Sequence, residues 1–207
     1  MLSKSSGTLF LLCISIAFTS HLVYKYYRKK KKNEKREIHE VIIFSSGMGE
    51  LKKSKYSRCM ITESMDRLLY YLNTPQHTVD ICMYVLTNID ITNAVLKLHF
   101  RGVKVRLIID ADMAFCSGSN VRRFEKQGIP VRWMKSCNLM HHKFVLIDTL
   151  SENDNTVPLL IMGSLNWTNQ ALCGNWEAVA VTSQTELVRQ YREEFERLWI
   201  LFKPVLL

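Results

Sequence analysis

The sequence predicts a layered α/β domain preceded by one N-terminal transmembrane helix. Short apolar runs alternate with amphipathic helical stretches from residue 40 onward, and an earlier run of 17 residues, Thr8 to Tyr24, carries no Lys, Arg, Asp or Glu. A length of 207 residues fills one ample core but is short for two once a targeting segment is removed.

The N-terminal run reads as the anchor, residues 1–24. Ser15, Thr19, Ser20 and His21 weaken it, but the basic sequel Lys25-Tyr26-Tyr27-Arg28-Lys29-Lys30-Lys31-Lys32 is the flank that stays cytoplasmic, with tyrosines at the interface. A cleaved signal peptide fits less well, because its positive charges precede the apolar run. Residues 25–39 read as a basic juxtamembrane linker, attracted to anionic headgroups by about 1 kcal/mol per basic residue. A nuclear signal is the minor alternative.

Residues 40–207 form the expected globular domain. Val41 to Phe44 reads as a buried strand, and Thr62 to Asn73 as a helix with Met65, Leu68, Leu69 and Leu72 on one side. A strand over Thr78 to Leu86 precedes a helix over Asn88 to Phe100, closed by Arg101-Gly102. Strand Val103 to Asp110, a short helix Ser119 to Gln127 stopped by Gly128, and strand Ile129 to Met134 follow. His141 to Asp148 and Leu159 to Met162 read as successive strands around the polar loop Thr149 to Pro158, which we expect to bulge at the surface. After strand Glu177 to Val181, a last helix from Gln184 to Phe202 carries the apolar stripe Leu187, Val188, Tyr191, Phe195, Leu198, Trp199 and Phe202.

Charge and cysteine content narrow the function classes. The net charge is +9, yet residues 25–36 hold eight Lys or Arg against one Glu, and residues 37–207 hold 19 basic and 18 acidic groups. A polyanion-binding surface on the domain must therefore come from local clustering. The six cysteines are scattered singly, with no Cys-x-x-Cys pair, which points to a reducing compartment.

Chemistry concentrates in His141-His142-Lys143 with Asp148, followed by Gly163-Ser164-Leu165-Asn166. In an extended strand, alternation puts His141 and Lys143 on one face and His142 and Asp148 on the other. Ser164 and Asn166 project together by the same parity. A neutral imidazole beside an ammonium, a hydroxyl and a carboxamide suits attack on an anionic phosphodiester, with cations and donors on the non-bridging oxygens. The expected catalytic residues are thus His141, Lys143, Asn166 and Ser164, with Asp148 structural.

The spacing His-x-Lys-x4-Asp followed by Gly-Ser-x-Asn resembles the phospholipase D superfamily. Together with Arg101-Gly102-Val103-Lys104-Val105-Arg106 and Glu193-Glu194-Phe195-Glu196-Arg197-Leu198-Trp199, it is most similar to the single-motif, membrane-anchored Zucchini or mitochondrial cardiolipin hydrolase branch. The resemblance implies a mixed central β-sheet flanked by helices and a phosphohistidine intermediate. It also implies a downstream carboxylate that holds the nucleophilic imidazole in one tautomer, with Glu177 the matching candidate. Because this chain has one motif where other members have two, it implies a homodimer in which His141 of the second copy is general acid and then base.

For substrate, the resemblance implies single-stranded RNA, cut in the production of small silencing (piRNA) RNAs, with cardiolipin hydrolysis to phosphatidic acid as the alternative. A non-catalytic membrane scaffold is the lesser alternative. The location implied is the mitochondrial outer membrane, with the domain facing the cytosol. Lys52, Lys53, Lys55, Arg58, Arg122, Arg123, Lys126 and Lys135 are the expected basic residues of a substrate groove. Relatives carry a zinc cluster after the first strand, but Ser45 to Leu72 holds only Cys59 and no histidine, so no metal or other cofactor is expected.

Overall fold

The computed structural model describes residues 14–26, 37–45, 50–150 and 156–202. The chain divides into two units, Met1–Arg36 and Glu37–Leu207. In the first, residues 14–26 form helix α1. At 1.5 Å per residue the 13 described residues of this helix span about 20 Å. Among the described residues no helix is long and apolar enough to cross a membrane. Residues 1–13 of the expected anchor, 27–36 of the linker and 151–155 of the loop expected to bulge at the surface lie outside the described residues.

The second unit is built on β1 (His39–Phe44), β2 (Thr78–Met83), β3 (Lys104–Ile109), β4 (Val131–Arg132), β5 (Lys143–Ile147), β6 (Leu159–Gly163) and β7 (Glu177–Thr182). They form one seven-stranded sheet in the order β1-β7-β6-β5-β2-β3-β4. The β2–β3 and β3–β4 pairs are parallel and the others antiparallel, so the sheet is mixed. The helices are α2 (Glu63–Leu72), α3 (Ile89–Phe100), α4 (Ala111–Ala114), α5 (Val121–Lys126), α6 (Asn169–Cys173) and α7 (Thr185–Leu201).

Two cores sandwich the sheet. Val79, Ile81 and Met83 of β2 join Leu68, Leu69 and Leu72 of α2, Ile91, Val95 and Leu98 of α3, and Phe124 of α5. Cys82, of opposite parity, joins Phe144, Leu146 and Leu160 beneath Val188, Phe195 and Leu198 of α7. The expected stripe on the last helix is therefore core.

Local chemistry sets the helix ends. Thr62 and Asn88 accept from the amides of Met65 and Ile91, at 3.3 and 2.9 Å. Gly102 and Gly128, at φ +87° and +79°, stop α3 and α5 in a conformation that suits glycine.

Three strands differ from the sequence reading, β2 by ending at Met83 rather than Leu86. β4 is two residues long, and β5 begins at Lys143 rather than His141. β4 lies at one edge of the sheet and β5 beside β2. Residues 133–142 must therefore cross the ends of β3 and β2, where no strand is free to pair. The short helices α4 and α6 had no apolar period long enough to announce them.

α7 is held by one buried ion network. Arg106 donates to Asp80 at 2.6 and 2.8 Å and to Glu196 at 2.6 Å. Its guanidinium packs 4.8 Å from the Phe195 ring centroid and 5.1 Å from that of Trp199. Burial raises the Asp80 carboxyl above its ordinary range and Arg106 opposes the shift. The pair thus compensates a desolvation that Asp80 alone would not survive.

At the far end of the sheet Asp148 leaves β5 with φ +53°. Its buried carboxylate accepts from the amides of Gln76 at 3.0 Å, His77 at 2.7 Å and Thr78 at 2.9 Å. The carboxylate therefore ties the end of β5 to the start of β2.

Two stability predictions follow from these contacts. Arg106→Met strands the Asp80 charge and lowers unfolding stability by about 3–5 kcal/mol in urea titration. Asp148→Ala leaves three amides without an acceptor and lowers it by about 3 kcal/mol. A loss within 0.5 kcal/mol for either variant contradicts the role given to that side chain.

Candidate active site

The site forms where β5 begins. β2 and β5 pair antiparallel with Met83 opposite Lys143, so the residue after Met83 faces the residues before Lys143. Tyr84 accordingly packs edge-on against His141, ring centroids 4.7 Å apart. Lys143 lies with Nζ 5.2 Å from the Tyr84 ring centroid and donates to the His141 carbonyl at 2.8 Å. Tyr84 thus buttresses both residues. Nothing local in the sequence marks it; only the β2–β5 register does.

The second motif is delivered by β6. A Cβ on Gly163 would lie 2.0 Å from the Ala178 carbonyl oxygen, so only glycine lets β6 close on β7 here. Ser164 N–H donates to that same carbonyl at 3.1 Å. Its hydroxyl donates to Glu177 in a short hydrogen bond and accepts from Ala178 N–H at 3.2 Å. The rest of the loop is clamped from beneath: the Trp167 carbonyl accepts from Thr87 and Asn88 N–H, both at 2.9 Å. Asn166 sits half-buried, its Oδ1 buried with no hydrogen-bond partner among the described residues.

His141, Lys143 and Ser164 line one cavity of about 500 Å³, whose wall includes Val41, Met162 and Ala180. The His141 side chain is exposed, and its ring nitrogens accept or donate no hydrogen bond among the described residues. Burial lowers the Lys143 pKa below the ordinary lysine value, and the Glu177 charge opposes the shift. A free imidazole, a partly desolvated ammonium and a hydroxyl therefore border one space.

Other expectations need correction. His142 was expected on the face opposite His141 but lines the same cavity. It lies with Nε2 3.4 Å from Glu194 and its ring 5.8 Å from that of Phe144. Residues 141 and 142 precede the strand, so no pleat alternates them. Asp148 is separated from His141 by the length of β5. Glu177 accepts from Ser164 Oγ and from Asn175 Nδ2 at 2.9 Å, and makes no hydrogen bond to the His141 ring.

The basic residues expected to form one groove are dispersed. Lys55, Arg58 and Arg123 line a separate hollow of about 680 Å³, joined there by Lys97. Lys52 pairs with Glu63 and Asp66, each at 3.4 Å. Lys53, Arg122, Lys126 and Lys135 are exposed, and none of the eight lines the His141 cavity. Among the described residues no cluster of three or more His, Cys, Asp or Glu could hold a metal ion.

Residues 68–199 match the family described as cardiolipin synthase, PLD-like domain. Mitochondrial cardiolipin hydrolase of Xenopus tropicalis is 35% identical over 196 residues, covering 91% of this chain and 87% of that protein. The Chlamydomonas reinhardtii protein of the same name is 43% identical over 140 residues, 68% of this chain. The chain spans 59% of the length of that relative and 60% of the mouse one. Among solved structures, NucT from Helicobacter pylori has a TM-score of 0.64 at 19% identity, covering 81% of this chain and 98% of its own. Nuc of Salmonella typhimurium, a phospholipase D family member, has a TM-score of 0.63 at 20% identity, a likeness of fold. The family match over residues 68–199 and the near full-length alignment to the Xenopus protein fall on the sheet that carries His141, Lys143, Ser164 and Asn166, and the chain belongs to the phospholipase D superfamily, in the branch of these relatives.

Proposed function

We propose that this protein is a metal-independent phosphodiesterase in which His141 is the nucleophile. The observation that carries this reading is the exposed His141 imidazole, free of hydrogen bonds among the described residues, at the rim of a cavity it shares with Lys143 and Ser164. An imidazole nitrogen attacks phosphorus and the leaving oxygen departs with a proton; water then hydrolyses the phosphohistidine and returns the imidazole. Lys143 balances charge on the non-bridging oxygens and Asn166 Nδ2 supplies a further hydrogen bond, while Ser164, whose hydroxyl proton goes to Glu177, orients the loop. In this reading Glu177 positions Ser164 and sets the potential at Lys143.

The general acid comes from a second copy of the chain. One copy places one reactive histidine pair of adjacent residues, and His142 is drawn towards Glu194. Support for a homodimer lies in apolar surface bordering the site: Val41 at its wall is 63% exposed, and Ile43 beside it 57%. The second copy's His141 then protonates the leaving oxygen and activates the water.

Single-stranded RNA is the substrate in this reading, supported by the cations around the second hollow, with a place in small silencing (piRNA) RNA production carried by the resemblance. Cardiolipin hydrolysis is the second reading. It is favoured by the name of the relatives and by the apolar wall of the cavity. The uncharged N-terminal run and the lysines after it support anchoring to a membrane, and the names of the relatives support the mitochondrion as its location.

Substrate and mechanism are tested together on the full chain in detergent. Labelled single-stranded RNA is expected to be cut without added metal, and turnover of cardiolipin vesicles alone sinks the RNA reading. A base-stable phosphoryl adduct on His141 is expected in mass spectra of protein quenched during turnover. His141→Asn abolishes both the adduct and product; an active His141→Asn protein removes the nucleophile assignment.

Lys143 separates stability from activity. Its folded pKa lies below that of the unfolded chain, so the unfolded state holds the proton more tightly and the charge disfavours folding at neutral pH. Lys143→Met is expected to keep or raise the thermal midpoint while lowering kcat by about 100-fold or more. A lowered midpoint with activity intact reverses both roles.

A further inference from the structure

We propose that the hollow between residues 55–59, α3 and α5 is a second binding site, for a segment of single-stranded polynucleotide, distinct from the His141 cavity. It rests on the RNA reading above. The hollow, of about 680 Å³, falls within the roughly 300–1,000 Å³ usual for ligand sites and shares no residue with the His141 cavity.

Its lining has the chemistry of a sugar-phosphate chain carrying flat bases. Lys55, Arg58, Lys97 and Arg123 supply four cations against one carboxylate, Asp90. None of the four is ion-paired among the described residues, a state they share with Lys53, Arg101, Lys104, Arg122, Lys126 and Lys135; what sets them apart is that they border one hollow. The Arg123 guanidinium is oriented by Asn93, to which it donates at 3.0 Å, and its other terminal nitrogen is buried with no hydrogen-bond partner among the described residues.

Aromatic faces complete the set. Phe100, 66% exposed, offers an open ring in the hollow; Tyr56 also lines it but is partly buried against the core, with Lys55 Nζ 4.9 Å from its ring centroid. Cations interleaved with exposed rings bind single strands, the cations on phosphates and the rings under bases. A flat anionic membrane would use the cations but not a concavity.

The hollow is also coupled to the site. Asn88, which caps α3, donates from its amide to the Trp167 carbonyl at 2.9 Å and from Nδ2 to Asn169 at 2.7 Å. The first turn of α3 is thereby fixed to the loop that carries Ser164 and Asn166. The hollow lies outside the His141 cavity, so the site grips RNA away from the bond that is cut.

The test uses full-length His141→Asn protein in detergent and a fluorescein-labelled 20-nucleotide RNA, with Lys97→Glu and Phe100→Ala each added. Both residues are at the surface, and thermal midpoints check folding. Each is expected to weaken binding by about tenfold, and Lys97→Glu to flatten the salt dependence. Lys104→Glu, exposed outside the hollow, is expected to change it little. In the His141-intact protein, KM for the 20-nucleotide RNA rises with Lys97→Glu and kcat does not fall.

Unchanged binding with both variants overturns the proposal even if RNA is cut. Loss of cosedimentation with cardiolipin vesicles while RNA binding stands also overturns it, because the hollow is then a membrane contact. If RNA is never cut but both variants lose its binding, the second site stands and the RNA cleavage reading falls.

Discussion

The carboxylate of Asp148, accepting from the amides of Gln76, His77 and Thr78, is the constraint on which the site depends. It joins β5 to β2 at the end of the sheet remote from His141 and so helps fix the register between them. With Val79 opposite Ile147, Met83 falls opposite Lys143. A one-residue slip would turn Phe144 and Leu146 out of the α7 core and move Tyr84 off His141. An acidic side chain at the far end of the sheet thereby helps place Tyr84, His141 and Lys143 together.

The opposite face is anchored with comparable economy of contacts. Arg106 holds Asp80 and Glu196 and packs against Phe195 and Trp199, so β2, β3 and α7 meet at one guanidinium. Such a buried pair is not a strong source of stability, because desolvation offsets most of its attraction. Its use is orientation: α7 brings Glu194 to His142 and Tyr191 to the cavity wall. The same helix therefore completes the second core and one side of the candidate active site.

Close approach of strands does for the second motif what register does for the first. Gly163 admits the Ala178 carbonyl where any side chain would collide, and Ser164 is thereby presented to Glu177. Trp167, buried below, receives the amides of Thr87 and Asn88. The loop's backbone groups are spent on neighbours, the Ser164 hydroxyl is engaged by Glu177 and Ala178, and Asn166 keeps an unpartnered Oδ1 among the described residues.

Much of this was legible in the residues alone. The helices capped by Thr62 and Asn88 and stopped at Gly102 and Gly128 were marked by side chains within a few positions, and the buried strands by their apolar runs. The identities of His141, Lys143, Ser164 and Asn166 were likewise written in short spacings. What the tertiary structure decided was non-local. The crossing from β4 to β5 ended the strand before His141, so His142 shares the cavity that pleating would have denied it. Tyr84 entered through a β2–β5 register, Glu177 was turned to Ser164 by the approach of β6 to β7, and the basic residues were sorted between solvent, acidic partners and a second hollow. Sequence periodicity and capping act over a few residues, whereas these placements depend on which strands lie side by side, and a linear pattern does not encode strand order.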